Sequence, residues 1–261
     1  ESSQSQVYFK NLNIKDNHIL DKYHHFFYFI NSIIECKRVY LSHFYSPYSS
    51  IFSCDYRTYF TFVDSKFSFN VASQLFSCDG IINFQFHSTS FHTNTGQIMK
   101  ATSINPTVLF QYCEIRNNVV PDDGSMFDLY GGNFKFDDPV VIINNQADCF
   151  IDFHNSMTLL SITMATVNLN TFSGGFVRNV KEGQIRLISS MFCLNIIGDF
   201  LCSSSHAFVL IHSTHFLNNV GKIIDCKKGI LSCHFSVFNS SSAMPIIQLT
   251  ELKYEKSEIV S

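Results

Sequence analysis

The 261-residue sequence has no tryptophan, no C-x-x-C pair, no run of 18 apolar residues and no block of five or six like charges. The missing apolar run excludes a membrane-spanning helix. With a net charge of −3 and no clustered Lys or Arg, a nucleic-acid or polybasic membrane face is excluded too. Without C-x-x-C, the nine cysteines point away from structural zinc and from a thioredoxin-type redox motif. Neither G-x-S-x-G nor a phosphate-binding loop pattern occurs. The chain opens Glu1-Ser2-Ser3-Gln4, without an initiator Met or a signal-peptide pattern, so it reads as processed or as a segment of something longer.

What is present is aromatic and periodic. Phe (28) and Tyr (11) lie in a chain that is 46% hydrophobic, which argues for a sizeable core and against disorder. The tetrapeptide FSCD occurs twice, at Phe52-Ser53-Cys54-Asp55 and Phe76-Ser77-Cys78-Asp79, and it belongs to a longer repeat. An apolar anchor is followed three places on by Asn in Phe67/Asn70, Phe91/Asn94, Ile115/Asn118, Ile142/Asn145, Val167/Asn170, Phe192/Asn195 and Phe216/Asn219. Two places before an anchor stands a small residue: Ser65, Thr89, Cys113, Ser190, Thr214, Cys233. Apolar pairs such as Phe60 and Phe62, or Phe84 and Phe86, come seven and five before. After the Asn comes G-x-apolar, as in Gly96-Gln97-Ile98, Gly198-Asp199-Phe200 and Gly221-Lys222-Ile223. At the edges Ile14/Asn17 fits, Phe44 is an anchor with Pro47 in the Asn place, and Phe235 is an anchor with Phe238 in the Asn place. Ser257 and Ile259 start a further repeat.

Short runs of alternating apolar residues separated by Asn, Gly, Ser and Asp are strand–turn–strand chemistry. The sequence therefore predicts an all-β fold, a parallel β-helix of about ten coils, each of roughly 24 residues with three short strands. Residues 1–261 read as one repeat array, cut from a longer solenoid, because neither end carries a polar cap. The anchors should form one continuous apolar column. The Asn should supply both the left-handed turn and a stacked amide ladder, and the Gly a further positive φ. A leucine-rich repeat shares the period, but it needs Leu five places before the Asn, where Ser65, Thr89, Ser190 and Thr214 stand.

The alternation of F-x-x-N with a degraded G-G-A-[ILV] element resembles the polymorphic outer-membrane protein repeats of chlamydiae and similar repeats in surface proteins of trichomonad-type protists. The resemblance spans residues 44–235. It implies a secreted or cell-surface β-helix, a stalk or adhesin without enzymatic activity or cofactor, whose partner is a host, matrix or carbohydrate ligand.

The residues themselves offer few catalytic candidates. Asp122-Asp123 and Asp137-Asp138 are the acidic doublets, both beside Pro or Gly and readable as turns or as a shared calcium site. Arg116 and Arg186 stand alone. His212, His215 and His234 are candidates for a stacked pair, His234 repeating the His215 position, but a third metal ligand is missing. Cys54 with Cys78, and Cys202 with Cys226, are spaced for a thiol stack or a coil-to-coil disulfide. Asn239-Ser240-Ser241 is a glycosylation sequon. The expectation is a non-enzymatic extracellular binding solenoid. The alternative is a carbohydrate-active lyase or hydrolase, or a carbohydrate-binding module, which a cluster of acidic residues on one outer face would favour.

Overall fold

In the computed structural model, residues 4–21, 24–102, 106–121, 123–154, 158–240 and 247–250 are described. They form a parallel β-solenoid of about nine turns, with coils of about 25 residues and no helix among them. Each coil contributes one strand to each of three parallel sheets. Sheet A stacks ten strands, from Ser5–Lys10 to Ile230–His234. Sheet B is built of short strands such as Lys66–Ser68 and Ser90–His92. Sheet C is built of longer ones such as Val71–Asp79 and Gln146–Phe153. One long strand, His215–Lys227, rounds the corner and pairs in both B and C. At about 4.8 Å per coil, the rod is roughly 45 Å long.

The core follows from the columns. Phe60 stacks on Phe84 (ring centroids 4.7 Å), Phe86 on Phe110 (4.8 Å), Phe67 on Phe91 (5.1 Å) and Phe52 on Phe76 (5.1 Å). These rings are almost completely buried. In-register parallel pairing places like side chains directly over one another, so one inward Phe column forces the next coil's Phe into an offset stack.

The Asn ladder forms, and its chemistry is specific. Each of Asn70, Asn94, Asn118, Asn145, Asn170 and Asn195 donates from Nδ2 to the Oδ1 of the next, at 2.8–3.0 Å. The same Nδ2 bonds the carbonyl of an anchor one coil back, as Asn118 does to Phe91 O at 2.9 Å. Each Oδ1 also takes a backbone N–H from the preceding coil, as Asn118 Oδ1 does from Asn94 N at 3.0 Å.

The ladder Asn do not supply the left-handed turn. Positive φ belongs to the residue before each: Phe69, Thr93, Asn117, Asn144, Leu169, Leu194 and Asn218, at 53–56°. An Asn whose amide must lie along the axis inside the corner needs an extended backbone. The bend is displaced onto the neighbour, whose side chain points to solvent. Leu169, Leu194 and Phe69 are exposed there in a conformation that costs an L-residue about 1 kcal/mol or more.

The Gly column is only partly about φ. Gly96 has φ 111°, whereas Gly198 is not in the left-handed region. What both share is close approach: a Cβ would lie 1.7 Å from the carbonyl oxygen of Ala72 or Ser173, respectively.

The small residue two before each anchor does more than leave room. Thr89 Oγ1 bonds His87 O (3.1 Å) and Phe62 O (3.3 Å), and Ser190 and Thr214 repeat the pattern. It closes the A–B corner as Asn closes the B–C corner.

Register at the edges differs from expectation. Leu41, not Phe44, pairs with Phe67, and Phe44 takes the Asn place, its N–H bonding Asn70 Oδ1 at 3.1 Å. Phe238, not Phe235, stacks on Phe216, and Phe235 is the left-handed residue of its corner. Ser236 therefore takes the small-residue place, and Cys233 is a core residue opposite Ile211. The cause is a coil of 22 residues between Thr214 and Ser236, against 27 between Asn118 and Asn145. Ser257 and Ile259 lie outside the described residues.

Candidate functional site

The candidates from sequence do not converge. Asp137 and Asp138 sit at the A–B corner, Asp138 accepting a bond from Gln111 Nε2 at 3.1 Å. Asp123 lies at the B–C corner, and Asp122 lies outside the described residues. Asp123 and the Asp137-Asp138 doublet thus belong to different corners. Arg116 is paired with Glu114, and Arg186 with Gln184. His234 stacks on His212 (centroids 6.2 Å), not on His215, which faces Val237. Among the described residues no group of three or more His, Cys, Asp or Glu could hold a metal ion. Asn239 is exposed in the strand Val237–Ser240, opposite Leu217, while Ser241 lies outside the described residues.

All nine cysteines are free thiols. Cys54 and Cys78 are in register as a buried thiol stack. Cys202 faces Ile224 and Cys226 faces Ser204, so these two are offset by two positions and do not form a column. Burial pushes the Cys36 thiol up to about 12 and those of Cys113 and Cys233 up to about 11. Cys193 alone is part-exposed. A thiol-reactive dye should label one cysteine in the native protein and nine after unfolding in denaturant. Rapid native labelling at several sites would contradict this packing.

A polar constellation does assemble on the outer face of sheet C. Lys100, Asp128, Asp152 and Arg178 come from four successive coils and are directly opposite one another in register. Ser203, which lies opposite the bulge at residues 178–179, and its partner Asp225 continue the row. Arg178 reaches Asp152 Oδ2 through Nε (3.0 Å) and Nη2 (2.6 Å), and Asp148 Oδ2 through Nη1 (2.6 Å). Asn179 Nδ2 donates to the other Asp152 oxygen at 2.7 Å, and Ser173 Oγ to Asp148 Oδ1 at 2.9 Å. Burial works against the Arg178 charge, but the bonds to Asp152 and Asp148 outweigh it and hold the guanidinium still more firmly protonated. One coil back, Asp128 lies 2.5 Å from His154 Nε2 and 3.6 Å from Lys100 Nζ. The Tyr130 ring sits beside His154, with centroids 5.3 Å apart. A Cβ on Gly174 would lie 2.8 Å from Asp148 Oδ1 and 3.0 Å from Arg178 Nη1, so the bare backbone there makes room for the pair. Bulges between Ala147 and Cys149 and between Val177 and Val180 turn these strands where the cluster forms.

This row was missed in the sequence, although a signal exists. Lys100, Asp128, Arg178 and Asp225 each stand four places after Gly96, Gly124, Gly174 and Gly221. Both signs of charge occupy this phase, so no single residue type marks the row.

A second, smaller polar group lies on sheet B. His92 Nε2 is 3.0 Å from Glu114, which Arg116 also engages. Burial, then the Arg116 and Lys66 charges, lower His92 to about 4 from the usual 6.5. The folded protein therefore keeps His92 neutral where the unfolded chain would protonate it. Its contribution is fully present above pH 6.5, declines as pH falls and is exhausted near pH 4. With partial exposure and the nearby Glu114 screening the effect, about 1–2 kcal/mol is expected over that window. His92→Gln should flatten this part of the stability–pH curve relative to wild type, and an unchanged slope would refute the assignment.

Comparison with family models, with curated proteins and with solved structures returns no match.

Proposed function

We propose that this chain is a rigid element of an extracellular or cell-surface protein, stalk- or adhesin-like, that acts through one long outer face rather than by catalysis. The observation that carries the reading is the contrast between inside and outside. Inward columns keep one character, apolar or amide, coil after coil and fill the interior, so a partner must be met from outside. The outer face of sheet C, by contrast, varies from coil to coil and concentrates charged and polar groups. The F-x-x-N resemblance supports the same reading. Labelled protein should be retained on cell or matrix surfaces, and this retention should fall when sheet C, but not sheet A, carries bulky substitutions. Equal retention for both sets would refute it.

The acidic cluster of Asp128, Asp148 and Asp152 favours a second reading, a carbohydrate-active solenoid. The oxygens of Asp148 and Asp152 are taken by Arg178, Asn179 and Ser173, which suits holding a ligand better than moving a proton. We expect no turnover of pectin-like or other anionic polysaccharides, with or without calcium. Lyase or hydrolase activity lost on changing Asp122, Asp137 or Asp152 would overturn that expectation.

A further inference from the structure

We infer that the outer face of sheet C binds an extended, uncharged polysaccharide lying along the solenoid axis, across the row from Asp128 through Asp152 and Arg178 to Asp225, with Tyr130 as its stacking platform. The inference rests on the long-face reading above and names the ligand class of that face.

Three observations carry it. The first is an orphan acceptor. Asp225 is 1% exposed, its Oδ2 lies 3.3 Å from Lys227 Nζ, and its Oδ1 has no hydrogen-bond partner. A buried carboxylate oxygen without a donor costs about 1–3 kcal/mol or more. It lies on the same register row as the Arg178 cluster, two coils on, and Lys227, whose side chain is 56% exposed, is the group a ligand would push aside. A ligand hydroxyl placed there supplies the missing donor.

The second observation is Tyr130. Its ring is 42% exposed and stands beside His154, which itself holds Asp128. An aromatic face next to planar hydrogen-bonding groups is what a sugar ring needs: C–H bonds to stack on the ring, and hydroxyls that both donate and accept.

The third is charge. Along the row four carboxylates, Asp128, Asp148, Asp152 and Asp225, face three cations, Lys100, Arg178 and Lys227, and each cation is already paired. A polyanion finds no free positive charge there, and a polycation finds little net negative charge. A neutral polyol meets both acceptors and donors.

The axial direction follows from the register. The row advances one coil, about 4.8 Å, at a time and runs roughly 20 Å from Asp128 to Asp225. Across the sheet it is interrupted by corners within a few residues.

The test is isothermal titration calorimetry of the full chain with cellohexaose, mannohexaose and polygalacturonate. Saturable binding of at least one neutral hexasaccharide is expected, unaffected by moderate salt. Tyr130→Ala should weaken it about fivefold or more, and Asp225→Asn should weaken it as well. Tyr59→Ala on sheet A should leave it unchanged. Tyr130 is exposed, so its substitution does not threaten folding, and circular dichroism checks that the Asp225 variant is folded. Binding of neither hexasaccharide overturns the proposal. So does binding that both sheet C substitutions leave intact, and so does binding of polygalacturonate alone. Retention on cell or matrix surfaces without hexasaccharide binding sinks the ligand class and leaves the long-face reading standing. Loss of both sinks both.

Discussion

Replacing Asn118 by leucine is expected to lower the stability of the solenoid by about 4–6 kcal/mol. The side chain makes four bonds, to Asn145 Oδ1, to Phe91 O, and from Asn94 through both its backbone N–H and its Nδ2. Leucine fills a similar volume but leaves the Asn94 N–H buried without a partner, at about 1–3 kcal/mol, while Asn94 Nδ2 keeps only Phe67 O and Asn145 Oδ1 keeps only the backbone N–H of residue 118. Each of the other lost bonds costs about 1 kcal/mol. The loss should also be local. In a solenoid each coil touches only its neighbours, so hydrogen exchange should accelerate first in the coils around residues 94–145 and much less near residue 200. A melting midpoint within experimental error of wild type would show that the ladder is incidental to stability.

The second large effect concerns Arg178. Arg178→Ala removes the group that compensates both Asp148 and Asp152, whose side chains are 14% and 6% exposed. Breaking a buried pair by removing one partner typically costs about 3–5 kcal/mol, and the partial exposure of Arg178 places the expectation near 3. If the cost comes from stranded charge rather than lost packing, Asp152→Asn should rescue part of it. In that background Arg178→Ala should cost less than half as much. Additive losses in the double variant would show that the ion pairs carry no coupling energy.

The interior was readable in the sequence because stacking repeats it. An apolar column, or an Asn over Asn ladder, must place side chains of one character at one phase of every coil, and Phe67/Asn70 to Phe216/Asn219 do so. The ends were misread for a related reason. Leu41 replaces the aromatic anchor while Phe44 stands three places on, so in the sequence the more conspicuous ring marks the wrong position. The shortened coil before Phe238 produced the same slip with Phe235, and moved His234 onto His212. The role given to Asn was half right, since the ladder and the left-handed bend fall on adjacent residues. The sheet C row stayed hidden because outward positions are under no stacking constraint. Asp152 has no Gly four places before it, a bulge shifts its phase, and the row mixes both signs of charge. Outer faces record what a molecule meets, and what it meets need not repeat.

The ladder also has a direction. Every Nδ2–H bond runs the same way, from Asn70 toward Asn219, and no amide is flipped in the chain of six bonds between them. The carboxamide dipoles are thus aligned head to tail, and each polarises the next, strengthening its neighbours by roughly 10–30% per bond. Such a wire is most vulnerable at its middle. Cutting it at Asn145 leaves two short segments, whereas cutting it at Asn94 leaves one long segment, Asn118 to Asn219, intact. Identical Asn→Leu changes should therefore cost more at Asn145 than at Asn94, although each of the two donates to one ladder neighbour and accepts from the other.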